Sequence, residues 1–304
     1  MRSYLFGRLL QSFLVLVVGT MVVFTAISAS GDPAALMSPM DASAADITAL
    51  RVRLGLDRPL PVQYVRLLGE FLGGELQSFR FKRPPMELVL PHLGHSLQLS
   101  LVAMPLAVIL AIPLGTIAAV RRGSLYDGAI LSIALVGQAV PIFLLSILMI
   151  WVFSVYLRWL PVSGRGTIAH LVLPVASLTV LNLAILVRLT RSSVLEILDE
   201  DFVRTARSKG LHQRVVVLKH VLRNASIPIV SLMGMQLGAM LSGALVVETI
   251  FSWPGLGKLM YDGVLQRDVP LVTVGTLVIT VMVTILNLSI DLLYAMLDPR
   301  IRYT

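Results

Sequence analysis

His92 and His95 stand three residues apart, a spacing that suits a metal ion. No carboxylate or third histidine lies beside them, so on their own they make no metal centre. The chain has no cysteine, which removes thiolate ligands, disulfides and thiol nucleophiles. It has no His-Glu-x-x-His and no Gly-x-Ser-x-Gly, the two most readable signatures of a hydrolytic centre. It also lacks a Gly-x-x-x-x-Gly-Lys-Ser/Thr loop to cradle phosphates. What remains is the chemistry of recognition, concentrated in Asp201-Phe-Val-Arg-Thr-Ala-Arg-Ser-Lys-Gly210. Asp199, Glu200 and Asp201 open a short helix whose last turn holds Arg207 and Lys209, so both ends oppose the helix macrodipole. Glu200 and Arg204 are spaced for a side-chain pair. Gly210 supplies a stop that tolerates positive φ, and Leu211 the apolar contact just beyond it. A second segment, Gln213 to Arg223, places Val215, Leu218 and Leu222 on one face and Arg214, Lys219 and Arg223 largely elsewhere. A helix, a glycine turn and a second helix form a knob that fits a groove in a partner, with charges to orient it and an apolar face to anchor it. The plain alternative is a solvated loop whose basic residues only set topology.

The elements around this segment are apolar. With 56% hydrophobic and 14% charged residues, and a mean hydropathy of +0.85, the chain has too little polar surface to cover a soluble globule of 304 residues. It reads as an all-α, polytopic membrane protein. Six runs are long enough to cross roughly 30 Å of hydrocarbon at about 20 residues each: Leu9–Ala29, Leu97–Val120, Ala129–Leu157, Leu171–Val187, Ile227–Val247 and Leu271–Leu293. The runs do not alternate apolar with polar, which favours helices over a barrel. An N-in/C-in arrangement puts Arg2, Arg8, Arg121, Arg122, the basic residues from Arg188 to Arg223, Arg300 and Arg302 on the cytoplasmic side, more than half of the 25 Lys and Arg. The net charge of +8 is thereby a matter of topology and not of nucleic-acid binding.

The organisation is an N-terminal span over 1–29, an extracytoplasmic segment over 30–96, and a five-helix core over 97–304 that carries the cytoplasmic loop 188–227. Ala26-Ile-Ser-Ala29 resembles a signal-peptidase site, but the apolar run before it is longer than a signal-peptide core, which favours an uncleaved span. Pro33, Pro59, Pro84, Pro85 and Pro91 permit only short helices in the outer segment. One of these is amphipathic, with Val62, Val65, Leu68, Phe71 and Leu72 at helical spacing. Pro228 fits the first turn of the fifth span.

Polar groups inside the spans are candidates for a path across the membrane, because lipid does not satisfy them. Gln138, Asn182, Gln236 and Asn287 are such groups, and each could equally hydrogen-bond a neighbouring helix. Pro141, like Pro105 and Pro113, is placed to kink its helix. Asp291 lies near the inner end of its span, where pairing with a basic residue is expected. Glu248 ends the fifth span, and Trp253-Pro-Gly255 supplies an interfacial aromatic and a turn.

The Asp201–Gly210 segment, followed by Leu218-Lys-His-Val-Leu-Arg-Asn224 and Pro228, resembles the coupling loop of ABC-importer permeases of the dipeptide/oligopeptide/nickel branch. So do Leu54-Gly-Leu-Asp-Arg-Pro-Leu60 with Gln63-Tyr64, Trp159-Leu-Pro161 with Gly164, Glu248-Thr-Ile-Phe-Ser-Trp-Pro-Gly-Leu-Gly257, and Leu297-Asp-Pro-Arg-Ile-Arg302. Arg204-Thr205-Ala206 replaces the Glu-Ala-Ala of the wider superfamily, and Ala139 stands where serine is common.

The resemblance implies a type I ABC importer permease fold in the bacterial inner membrane, with six transmembrane helices. It implies a second homologous permease subunit, two ATP-binding cassette subunits that hold ATP and Mg, and an extracytoplasmic substrate-binding protein. No cofactor is expected in this chain. Asp201, Arg204, Thr205, Ala206, Lys209 and Gly210 then couple to the ATPase, and the Glu248–Trp253 segment helps close the outer mouth. The solute implied is a di- or oligopeptide, glutathione-like peptides included, with nickel or a metal chelate as the alternative. An intramembrane enzyme and an ion-driven secondary transporter are more distant alternatives. The first lacks a catalytic signature and the second lacks mid-span carboxylates.

Overall fold

Helix α5, Pro85–Val120, runs unbroken through Pro91, Pro105 and Pro113 in the computed structural model of the chain, which describes residues 2–38 and 42–297. The expectation of short helices only before the second span is therefore corrected. The apolar face that α5 buries from Val89 onward holds the helix together where the missing proline N–H groups would weaken it. All regular structure among the described residues is helical. Before α5 come α1 (Arg2–Ala29), α2 (Pro33–Met37), α3 (Ala44–Leu54) and α4 (Leu60–Leu72). After it come α6 (Leu125–Ala139), α7 (Ile142–Met149), α8 (Ile168–Leu198), α9 (Asp201–Ser208), α10 (Gln213–Val215), α11 (Leu222–Gly243), α12 (Leu245–Ile250), α13 (Leu256–Leu265) and α14 (Val269–Leu297). Residues 298–302 of the C-terminal motif lie outside the described residues, as do the side chains of Arg2, Arg8 and Asp291.

Two compact units emerge. Of the described residues, one comprises those through Ser96 with Pro254–Thr284, and the other Leu97–Trp253 with 285–297.

In the first unit α4 docks on α1 through Tyr64, whose hydroxyl meets the buried Thr20 Oγ1 at 2.8 Å and whose ring lies 5.4 Å from that of Phe24. The buried stripe of α4 is Tyr64, Leu67, Leu68 and Phe71, at i, i+3, i+4 and i+7, while Val62, Val65 and Leu72 stay exposed. This corrects the face expected from the sequence: apolar residues nearly encircle α4, and only the partner helix selects among them. Ser43 caps α3 reciprocally with Asp46. The Ser43 hydroxyl (2.7 Å) and backbone N–H (3.0 Å) donate to the Asp46 carboxylate and hold its pKa below the ordinary value. Asp268, fully buried ahead of α14, accepts from Phe79 N (3.1 Å), Arg80 N (3.0 Å), Leu271 N (3.2 Å) and the Ser78 hydroxyl.

In the second unit α8 is the central helix. In its most apolar stretch 56% of residues are buried, against 33% for α5 and 28% for Gln213–Met240, and it packs against α6, α7 and α11. Along α5, Ala103, Ala107, Ala111 and Gly115 form a stripe of small residues at every fourth position. Such stripes let backbones approach closely when the surrounding solvent is lipid and packing replaces the hydrophobic drive. Thr179 Oγ1 donates to Ala103 O at 3.2 Å, and a Cβ on Gly115 would stand 2.6 Å from Thr190 Cβ and 2.8 Å from Val187 O. Since 103 lies beside 179 and 115 beside 190, α5 and α8 run in the same direction.

The chain returns between them through α6 and α7. The expected single span Ala129–Leu157 is broken there, and the helix axis turns by 100° between Ala139 and Ile142. Val140 precedes proline and is driven to an extended conformation (φ −77, ψ 121), and Pro141 (φ −55, ψ 137) cannot continue the hydrogen-bond ladder. Beyond α7 the helix widens to π geometry over Ile150–Tyr156.

Candidate functional site

The polar segment after α8 is a helical knob rooted in a small apolar cluster. Glu200, extended at φ −71 and ψ 148, separates the end of α8 from the start of α9. On α9 only Val203 and Ala206 are buried. They pack with Val194, Val216, Val221 and Ala225, which fixes the short helix on the ends of its neighbours. Asp201, Phe202, Arg204, Thr205, Arg207 and Ser208 of the helix, and Lys209 just after it, all face outward. Six of the eight residues of a helix this short would not stay exposed and ordered without the two that root it. Of the residues read from sequence as coupling groups, Ala206 alone is turned inward, where it helps to position the others.

The end of α9 follows the expected chemistry. Gly210 has φ +78, Leu211 N donates to Ala206 O (3.4 Å) and Gly210 N to Arg207 O (2.9 Å), the paired bonds of a Schellman stop. The charge pairing differs from expectation: Arg204 lies 3.7 Å from Asp201 rather than against Glu200, because Glu200 is outside the helix in an extended conformation. With side chains 73% and 98% exposed, that pair adds little stability and leaves both charges available to a partner.

The second segment differs more. After α10 the chain forms π turns over Val216–Val221 and runs on into α11. The extra residue per turn rotates the buried face to Val216, Val217 and Val221, leaving Val215 (42%) and Leu218 (67%) exposed. Because the turns run on without a break into α11 at Leu222, Pro228 lies inside α11 and not in its first turn.

Just before the knob, α8 is clamped to α6. Arg191 donates from Nε to Asp127 Oδ1 (2.7 Å) and from Nη2 to Asp127 Oδ2 (2.8 Å), and Gly123 N donates to the same carboxylate (3.0 Å). Sequence reading missed both residues. The one signal was an acid in the first turn of an apolar run, and nothing local names a partner 64 positions away.

The polar groups of the spans divide. Gln236 on α11 donates to Asn182 Oδ1 at 3.1 Å, and Asn182, 2% exposed, donates to Leu178 O, so these two meet between helices. Gln138 is exposed on α6 and accepts from Arg188 Nη1 at 3.4 Å. Pro141 is exposed at the break, and Asn287 is exposed on α14.

Glu248 is fully buried on α12, with its carbonyl accepting from Trp253 N at 2.7 Å. Trp253 is 1% exposed with the Arg165 guanidinium 5.9 Å from its ring centre. It is a core residue, which corrects the interfacial role its position suggested. His92 Nδ1 meets Leu88 O and His95 Nδ1 meets Pro254 O, and among the described residues no three metal-ligating side chains converge.

Residues 111–303 match the family "Binding-protein-dependent transport system inner membrane component", and residues 1–102 match the corresponding N-terminal family. Over the full length of both chains the protein is 37% identical to the dipeptide transport system permease protein DppB of Alkalihalophilus pseudofirmus. It is 40% identical, again over the full length of both, to the glutathione transport system permease protein GsiC of Pectobacterium atrosepticum. Against Escherichia coli K12 DppB the identity is 38% over 90% of each chain. Among solved structures, inward-facing forms of the MetNI methionine ABC transporter share the fold at a TM-score of 0.60 and 18% identity, covering 71% of this chain and 98% of that one. The chain belongs to the binding-protein-dependent transport system inner-membrane components: it is a multi-pass permease subunit of an ABC importer, without an ATPase of its own.

Proposed function

We propose that this permease carries dipeptides and short oligopeptides, glutathione-like peptides among them, inward across the membrane. The observation that carries the reading is full-length identity of 37% to a dipeptide permease and 40% to a glutathione permease. The chain works as half of a pathway completed by a second homologous permease. Two ATPase subunits, holding ATP and Mg, sit below, and an extracytoplasmic binding protein delivers solute from above. It crosses the membrane six times with both termini in the cytoplasm. The parallel course of α5 and α8 supports counting the broken α6–α7 pair as a single crossing. In functional terms the chain divides into a first span over 1–29, an outer segment over 30–96 and a core over 97–304.

In this reading the knob seats in an ATPase cleft. Asp201, Arg204, Thr205 and Lys209 contact the partner, while Ala206 and Gly210 hold the knob's shape. Closure of the ATPases on nucleotide moves α9 with the end of α8 as a rigid body. Gln138, Gln236 and Asn287 line the path, with Asn182 bonded behind Gln236; Pro141 bends it, and Glu248 and Trp253 belong to its outer gate.

The test is twofold. Co-purification with the cognate ATPases is compared for wild type, Arg204→Glu and Gly210→Pro; the variants reach the membrane but lose the ATPase, and undiminished recovery would overturn the coupling role. Uptake into whole cells is then competed with di- and oligopeptides and with nickel. Peptide import is rejected if nickel uptake depends on this chain and peptide uptake does not.

A further inference from the structure

Between α6, α8 and α11 lies an open cavity of about 590 Å³, lined by Leu131 and Gln138 from α6, Arg188, Arg191 and Ser192 from α8, and Leu232 from α11. Among the described residues no carboxylate lines it. Its two guanidinium groups are not equivalent. Arg191 is neutralised by both oxygens of Asp127. Arg188 instead donates to the neutral amide oxygen of Gln138 at a long 3.4 Å, and among the described residues no acid pairs with it.

We propose that this cavity is an anion-selective subsite of the path, in which Arg188, oriented by Gln138, holds a carboxylate of the passing solute. The proposal rests on the path reading above and deepens it. Arginine presents a rigid fork of donors that matches a carboxylate, and an open cavity without a competing acid in its described lining leaves that fork free to exchange its ligand. The long bond to Gln138 gives way more easily than an ion pair would, so the group holds and releases. Leu131, Ile185, Leu189 and Leu232 give the same cavity apolar walls for side chains of differing shape. A fixed positive charge also disfavours a bare divalent cation, which separates a peptide path from one for free nickel.

The chain has no cysteine, so a single Ser192→Cys reports from the cavity wall. The nucleotide-free complex with its ATPases is labelled in inside-out vesicles by a membrane-impermeant maleimide, with alanylalanine or its C-terminal amide as protectant, and label is read on this chain alone. Alanylalanine is expected to protect at about tenfold lower concentration than the amide, the scale of one charge-assisted contact. Adding Arg188→Gln should bring the acid to the level of the amide, while Arg188→Lys should keep part of the difference and show that the cavity is intact. Equal protection by acid and amide, or a difference that survives Arg188→Gln, overturns the carboxylate role and leaves the path reading standing. Labelling that neither peptide protects, or no labelling at all, overturns the path reading with it.

Discussion

Asp127 accepts from Nε and Nη2 of Arg191 and from the backbone N–H of Gly123, so one carboxylate ties the turn after α5, the first turn of α6 and the last part of α8 together. Its side chain is 8% exposed and that of Arg191 23%. A charge so placed becomes a liability when its partner is removed.

Arg191→Met is therefore expected to cost about 2–3 kcal/mol, the lower part of the range for a partly shielded pair. Asp127→Asn should cost less, since the amide still accepts one bond. The double variant should lose less than the sum of the two. Thermal unfolding of the detergent-purified chain gives all three values, and strict additivity would show that the two side chains act independently.

Two glycines separate close packing from helix propensity. A Cβ at Gly115 meets Thr190 and the Val187 carbonyl, while one at Gly128 meets nothing within 4 Å. Gly115→Ala should destabilise by about 1–3 kcal/mol through overpacking, and Gly128→Ala should stabilise α6 by up to about 1 kcal/mol. Melting temperatures of the two variants should move in opposite directions.

Asp268 holds the turn at Ser78–Arg80 by accepting three bonds beyond the one it accepts from Leu271 N in its own helix. Asp268→Ala leaves buried donors without acceptors, which costs about 1–3 kcal/mol for each one that water does not reach. Limited proteolysis should cut the variant faster within the Gln77–Arg83 stretch and leave the Asp201–Gly210 knob no more sensitive than in wild type. Equal cutting rates at the turn would deny Asp268 this role.

The Asn182–Gln236 bond is expected to be worth about 0.6–1.7 kcal/mol, the range found for hydrogen bonds between helices in a membrane. A double-mutant cycle with Asn182→Leu and Gln236→Leu measures it. If the pair also lines the path, uptake falls by more than the loss of folded protein accounts for. If the two losses track each other, the bond is structural only.

Much of the knob was legible beforehand because its chemistry is local. Asp201, Arg207 and Gly210 follow one another closely enough for dipole and stop signals to act within the same helix, and the Schellman bonds at Gly210 appear as expected. The buried face of the next segment was not legible. A π register over Val216–Val221 is stabilised by packing against Val203 and Val194, and no spacing rule of a normal helix anticipates it. Pro141 showed where the third run bends, but a proline spans everything from a slight kink to the 100° turn found, and the neighbours decide which.

Taken alone, the sequence determined what depends on composition and near neighbours: an all-helical chain too apolar for water, the absence of a phosphate loop, and a charged helix closed by glycine. The tertiary structure decided which of several apolar faces are covered, that Trp253 lies in the core, and that Asp127 belongs to Arg191 while Arg188 meets Gln138. The reason is physical. Periodicity sets which residues share a face of one helix, whereas burial and charge pairing depend on what the other helices bring to that face from far along the chain.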